Sequence, residues 1–263
     1  MTFEAAMKRM GLGLLIMIIS LSLTAPLALA SSTKLADKEV ILKKAQKLIE
    51  QEPPNRQNLL EALSLLQGYR AQFPQEARFP LYMAEAYYRL ADPAADVNRE
   101  FPYYEKAGQY ARKVMVMDPN RIEAHYWYGL FLLKEAQKRG IRGYFTVKAG
   151  IRELEKVRKS MPGYDHAGAS RVLSLLYCLA PGWSPFGNLD KSIQLGKEAT
   201  RLAPNYILNR MYLADAYRKQ GDKQAAIREY REILVLSAKR PGKLSDGFSH
   251  QARLKLRSLE ASM

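Results

Sequence analysis

Acid–base, metal or nucleophilic chemistry needs a few reactive side chains at short, fixed spacings, and this chain offers few of them. Its three histidines are far apart: His125 in His-Tyr-Trp-Tyr-Gly, His166 shortly after Pro162-Gly163, and His250 near the C-terminus. None has a second histidine four residues away, the spacing that puts two metal ligands on one helical face. The single cysteine, Cys178, can form no intrachain disulfide and cannot alone supply a structural zinc site. Between Tyr177 and Leu179 it reads as a buried thiol rather than a nucleophile. No Gly-x-Ser-x-Gly elbow is present, and Gly187-Asn-Leu-Asp-Lys-Ser192 lacks the glycine beside lysine that a phosphate cradle needs. The sequence therefore predicts no catalytic residue, no metal site and no cofactor.

What remains is aromatic. His125, Tyr126, Trp127 and Tyr128 are four consecutive rings that span nearly the whole circumference of a helix, so some must face outward or into a groove. Residues 181–188 (Pro-Gly-Trp-Ser-Pro-Phe-Gly-Asn) form a loop in which two prolines fix φ around Trp183 and Phe186. That loop either packs on its own hairpin or lines a pocket.

The elements that carry these residues repeat. Leu213-Ala-Asp-Ala-Tyr-Arg-Lys-Gln-Gly-Asp222 followed by Ala225-Ala-Ile-Arg-Glu-Tyr-Arg-Glu-Ile-Leu234 resembles a tetratricopeptide repeat. Small Ala214 and Ala226 let two helices approach, Tyr217 and Tyr230 fill the angle between them, and Gly221-Asp222 makes the turn. A proline ends each second helix, at Pro74, Pro119, Pro162 and Pro204. Their separations of 45, 43 and 42 residues exceed the ~34 of an ordinary unit, so the inserts belong inside the hairpins. The expected helices include 35–50 with 58–73, a second helix over 103–117, a first helix over 169–178, another over 189–202, and a cap over 249–259. Ala, Leu, Lys, Arg, Glu and Gln dominate, and no segment competes as a strand. The predicted fold is an all-α, right-handed solenoid of about five divergent hairpins plus a C-terminal cap helix.

At the N-terminus, Lys8 and Arg9 precede an apolar run over residues 12–23, and small Ala28 and Ala30 precede Ser31. This is the layout of a secretory signal peptide cleaved after Ala30, leaving one solenoid domain over 31–263 in the periplasm. The alternative is an uncleaved membrane anchor over residues 10–29. The formal charge of +15 becomes +14 on cleavage. In an exported protein that charge suits anionic lipid, with peripheral membrane contact, or envelope polymer, rather than nucleic acid.

His125-Tyr-Trp-Tyr-Gly129, Pro162-Gly-Tyr164, Arg171, Pro181-Gly-Trp-Ser-Pro-Phe-Gly187 and Leu202-Ala-Pro-Asn-Tyr206 with Asn209 together resemble the T component of TRAP-type transport systems over about residues 100–236. The resemblance implies a periplasmic protein with a ligand-sized cavity, able to form a trimer, that engages a solute-binding protein delivering apolar carboxylates or similar ligands. It implies a cavity lining of Tyr126, Trp127, Arg171, Trp183 and Phe186, with Arg171 as counter-charge for a carboxylate. Arg171 could equally form a salt bridge to Asp165. The lipoprotein cysteine of some members is missing here, so a lipid tether is not expected. The competing function is an envelope-assembly scaffold whose groove holds peptides, outer-membrane proteins or cell-wall polymer.

Overall fold

The computed structural model describes residues 36–92, 95–239 and 242–261; the expected signal segment lies outside them. Helices α1 (36–49), α2 (Arg56–Tyr69), α3 (Arg78–Leu90), α4 (Val97–Met117), α5 (Ile122–Arg139), α6 (Tyr144–Ser160), α7 (Tyr164–Leu179), α8 (Leu189–Leu202), α9 (Ile207–Gln220), α10 (Lys223–Lys239) and α11 (Lys243–Glu260) follow one another. They form five hairpins and a cap, and no strand occurs among the described residues.

The prolines act one residue early. Phe73, Asp118, Met161 and Ala203, each preceding a proline, have φ of −132°, −144°, −138° and −136° and ψ of 62° to 88°, outside the helical region. The proline ring disfavours helical ψ in its predecessor, so four helical segments stop at one motif. Several starts carry side-chain caps: Asn55, Asp96 and Asn188 accept hydrogen bonds from backbone N–H groups of the first turns of α2, α4 and α8. The Asp96 cap corrects the expected start of α4, which begins at Val97 rather than residue 103 and carries Pro102 in its second turn. The cap helix likewise starts earlier than expected, at Lys243. Gly221, at φ 91°, ends α9 in the left-handed conformation the hairpin turn requires.

Alanines sit where helices cross: Ala62, Ala84, Ala107, Ala124, Ala214 and Ala226 are fully buried. Between α5 and α6 the approach is closer still, since a Cβ at Gly150 would meet the Leu133 side chain at 2.9 Å. Each helix packs on the next, and α3 also touches α5 and α7 touches α9. The odd-numbered helices thus form the inner row of the solenoid. At the C-terminal end Asp215 of α9 receives hydrogen bonds from Tyr230 of α10 (2.5 Å) and Lys255 of α11 (2.6 and 2.7 Å), which ties down the cap.

Candidate functional site: a charged and aromatic cluster on the inner row

The expected helix over 169–178 lies within α7, and the residues just before it take a course the sequence does not announce. Asp165, His166 and Ala167 have φ of 47°, 55° and 63°, three consecutive left-handed residues without a glycine. Left-handed backbone costs an L-residue roughly 1–2 kcal/mol, so this turn persists only because its surroundings impose it. Arg171 is the main constraint. Its Nη1 donates to the carbonyls of Asp165 (2.9 Å) and His166 (3.2 Å), while its Nη2 donates to Asp165 Oδ2 at 2.6 Å. From α9, Asn209 Nδ2 donates to the His166 carbonyl at 3.1 Å and to the Ala199 carbonyl at 2.9 Å, joining the turn to the end of α8. Gly168 completes the turn, because a Cβ there would collide with the Tyr126 hydroxyl.

The turn aims Asp165 into the inner row. Tyr126 donates its hydroxyl proton to Asp165 Oδ2 at 2.5 Å, and Arg89 of α3 lies 3.6 Å from Oδ1. Burial, reinforced by the Asp165 charge, pushes the Tyr126 phenol well above its usual pKa, so it stays a neutral donor. Arg89 also donates to Glu85 at 2.9 Å. Burial pushes the Glu85 carboxyl up to about 7; the Arg89 charge opposes this and the Asp165 charge adds to it.

Rings close the cluster. Trp127 donates Nε1–H to the Tyr164 hydroxyl at 3.1 Å, and Tyr126 meets Trp127 and Tyr164 edge-on at 5.0 and 5.3 Å. Tyr88 packs on Trp127 at 5.6 Å. His166 stacks on Tyr206 at 4.3 Å, and the Arg171 guanidinium lies 4.8 Å from the centre of the same ring. His166 Nε2 is 3.9 Å from Glu52 in the α1–α2 connection, so the first and fourth hairpins meet here.

Of the residues singled out by sequence, the structure brings Tyr126, Trp127 and Arg171 together. Arg171 is 6% exposed and forms the salt bridge to Asp165. Trp183 and Phe186 do not join them. Trp183 is 87% exposed, and Phe186 packs at 5.2 Å on Tyr144 of the preceding hairpin. Their loop borders an open cleft of about 370 Å³ lined by Tyr177, Gly187, Asp190 and Lys219 among others, apart from the buried aromatic cluster around Tyr126. His125 is also elsewhere, bonded through Nδ1 to Glu153 of α6 at 2.6 Å and through Nε2 to the Pro119 carbonyl at 3.3 Å.

Sequence reading missed Glu85 and Arg89. Their one signal was a charged pair four residues apart inside the aromatic, apolar run Pro-Leu-Tyr-Met-Ala-Glu-Ala-Tyr-Tyr-Arg-Leu. Tyr206 and Asn209 stood in the resemblance without a role; both hold the left-handed turn. Among the described residues no group of three or more His, Cys, Asp or Glu is arranged to hold a metal ion.

A family model described as Regulator of microtubule dynamics protein 1-3 matches residues 41–156, which fall within α1–α6. No curated protein matches the chain. Among solved structures, a thermophilic TPR protein from Thermus thermophilus is similar at 17% identity and a TM-score of 0.56, covering 78% of this chain and 91% of that one. MamA 41-end from Desulfovibrio magneticus RS-1 is similar at 21% identity and a TM-score of 0.52, covering 78% and 97%. At such identities the likeness concerns architecture, and the chain has a tetratricopeptide-like all-helical fold.

Proposed function

We propose that the chain is a non-catalytic scaffold that holds a protein partner along its inner row of helices. The observation that carries this reading is how the cluster uses its polar groups. Arg171, Asp165, Tyr126 and Asn209 bond to one another and to backbone carbonyls, where a catalytic acid or base would be directed at a substrate. Their work is to shape a surface, and His166, Glu52 and Tyr206 at its rim keep solvent access for a partner. Scaffold use of stacked hairpins is the common role of such folds.

The finer reading follows the sequence resemblance: an exported protein whose partner is a solute-binding protein of a TRAP-type system. A small carboxylate ligand would have to replace Asp165 beside Arg171, so the protein partner takes precedence over a ligand in this proposal. Cross-linking of the tagged chain in intact cells, with sequencing of its mature N-terminus, tests it. Recovery of a solute-binding protein, a chain starting at Ser31, and loss of capture in His166→Ala with Tyr206→Ala support it. Recovery of outer-membrane assembly or cell-wall proteins would sink it in favour of an envelope scaffold, a reading favoured by the high positive charge.

A further inference from the structure

The most exposed apolar side chains gather at one end of hairpins 3 and 4. Ile141, in the α5–α6 connection, is 98% exposed, and Phe145, in the first turn of α6, is 80% exposed. Trp183 stands out from the α7–α8 connection. Tyr144 joins the two connections, meeting Phe145 edge-on at 5.3 Å and Phe186 at 5.2 Å. The α7–α8 loop is held in shape by its own bonds, Ser184 N–H to the Pro181 carbonyl at 2.9 Å and Phe186 N–H to Ser184 Oγ at 3.1 Å. Trp183, water-facing on a fixed loop, gains nothing from the fold, so its exposure beside Ile141 and Phe145 calls for an occupant.

Charge selects the occupant. Residues 136–152 contain Lys138, Arg139, Arg142, Lys148 and Arg152; Arg139 is paired with Glu135 at 2.5 Å and Arg152 lies 3.6 Å from Glu153, so the net positive charge of this edge rests on Lys138, Arg142 and Lys148, while residues 181–189 carry no charge and Asp190 follows them. Lys148 extends over the Tyr144 ring, its ammonium 5.2 Å from the ring centre, so positive charge lies directly beside the exposed rings. The neighbouring turn, in hairpin 2, carries Asp92 and Asp96, and there the basic, apolar character stops. Trp, Tyr and Phe beside Arg and Lys are the side chains that favour the boundary between headgroups and acyl chains of an anionic bilayer.

We infer that this edge docks on an anionic lipid surface. Ile141, Phe145 and Trp183 enter the headgroup boundary, and Arg142 and Lys148 face the phosphates. The inner row is left open to a protein partner, so the inference stands whether or not the scaffold proposal holds.

The test uses the full chain with vesicles of phosphatidylcholine alone or mixed with phosphatidylglycerol, some carrying brominated acyl chains. Only two tryptophans exist, and Trp127 is buried, so quenching by bromine reports Trp183; the apolar N-terminal run contains no tryptophan and is silent. The expected result is quenching with a blue shift on the anionic vesicles only. Ile141→Ser with Phe145→Ser should lower vesicle partitioning at least about tenfold, with an unchanged circular dichroism spectrum. Arg142→Gln should lower it roughly fivefold. Vesicle binding without quenching of Trp183, equal quenching on neutral vesicles, or no binding would each overturn the inference.

Discussion

The two tryptophans lie in two aromatic regions that the family resemblance joins in one cavity lining and the structure separates. Trp127 is 2% exposed, with its N–H bonded to Tyr164 and with Arg89 and Tyr88 packed against it. Trp183 is 87% exposed, on a loop that packs back onto the fold through Phe186. The difference comes from what lies beside each ring. Trp127 is on a helix of the inner row, where neighbouring hairpins supply partners from α3 and α7; Trp183 is on a connection at the end of its hairpin, beyond the reach of that row. Ring content therefore says little about a site until its row in the solenoid is known.

That contrast can be broken by substitution. The largest effect is expected from Arg171→Ala, which strands the Asp165 carboxylate and releases two carbonyls of the left-handed turn; it should cost about 3–5 kcal/mol in urea unfolding. A loss below about 1 kcal/mol would mean the turn does not depend on Arg171. Next is the pH dependence of Glu85. Its carboxyl titrates near 7 in the folded chain against an ordinary 4.5, so its favourable contribution is complete below pH 4.5 and disappears as pH rises through 7. The span is about 3 kcal/mol, and Glu85→Gln should flatten the stability profile in that window.

Gly168→Ala forces a methyl into the Tyr126 hydroxyl and should cost about 1–3 kcal/mol, read as a fall in thermal midpoint. Ala167→Gly works in the opposite direction. It relieves the left-handed residue at φ 63° and should stabilise by up to about 1 kcal/mol; a loss instead would show that the Ala167 methyl contributes more by packing than its backbone costs. Smallest of all, Trp183→Ala should change stability by less than about 0.5 kcal/mol, since the ring touches little of the fold.

Much of the architecture was legible because it depends on local rules. The four prolines, the Gly221 turn and the crossing alanines Ala214 and Ala226 act within a few residues of themselves, and α8 spans the predicted 189–202. The start of α4 was misread because Pro102 looked like a boundary, whereas the Asp96 cap six residues earlier sets the first turn. The cluster was legible only in part. Tyr126, Trp127 and Arg171 were singled out and do lie together, but the left-handed turn was not legible, since Asp165-His166-Ala167 has no glycine to announce it. It is imposed by Arg171 and Asn209, and Glu85 and Arg89 reach it from a hairpin some eighty residues earlier in the chain. Contacts of that range leave no local pattern.

The bridges from Arg89 to Asp165 and from Glu52 toward His166 also bear on how the molecule comes apart. A solenoid whose repeats touch only their neighbours melts piecemeal, fraying from its ends inward. Here the second hairpin is tied to the fourth through the largely buried Arg89–Asp165 pair, whereas the 3.9 Å approach of Glu52 to His166 joins two half-exposed side chains and adds little, so loosening the second hairpin disturbs the turn in the fourth. The second to fourth hairpins should therefore lose structure as one cooperative block, with hydrogen-exchange protection nearly level from α3 to α8 and declining toward α1 and α11.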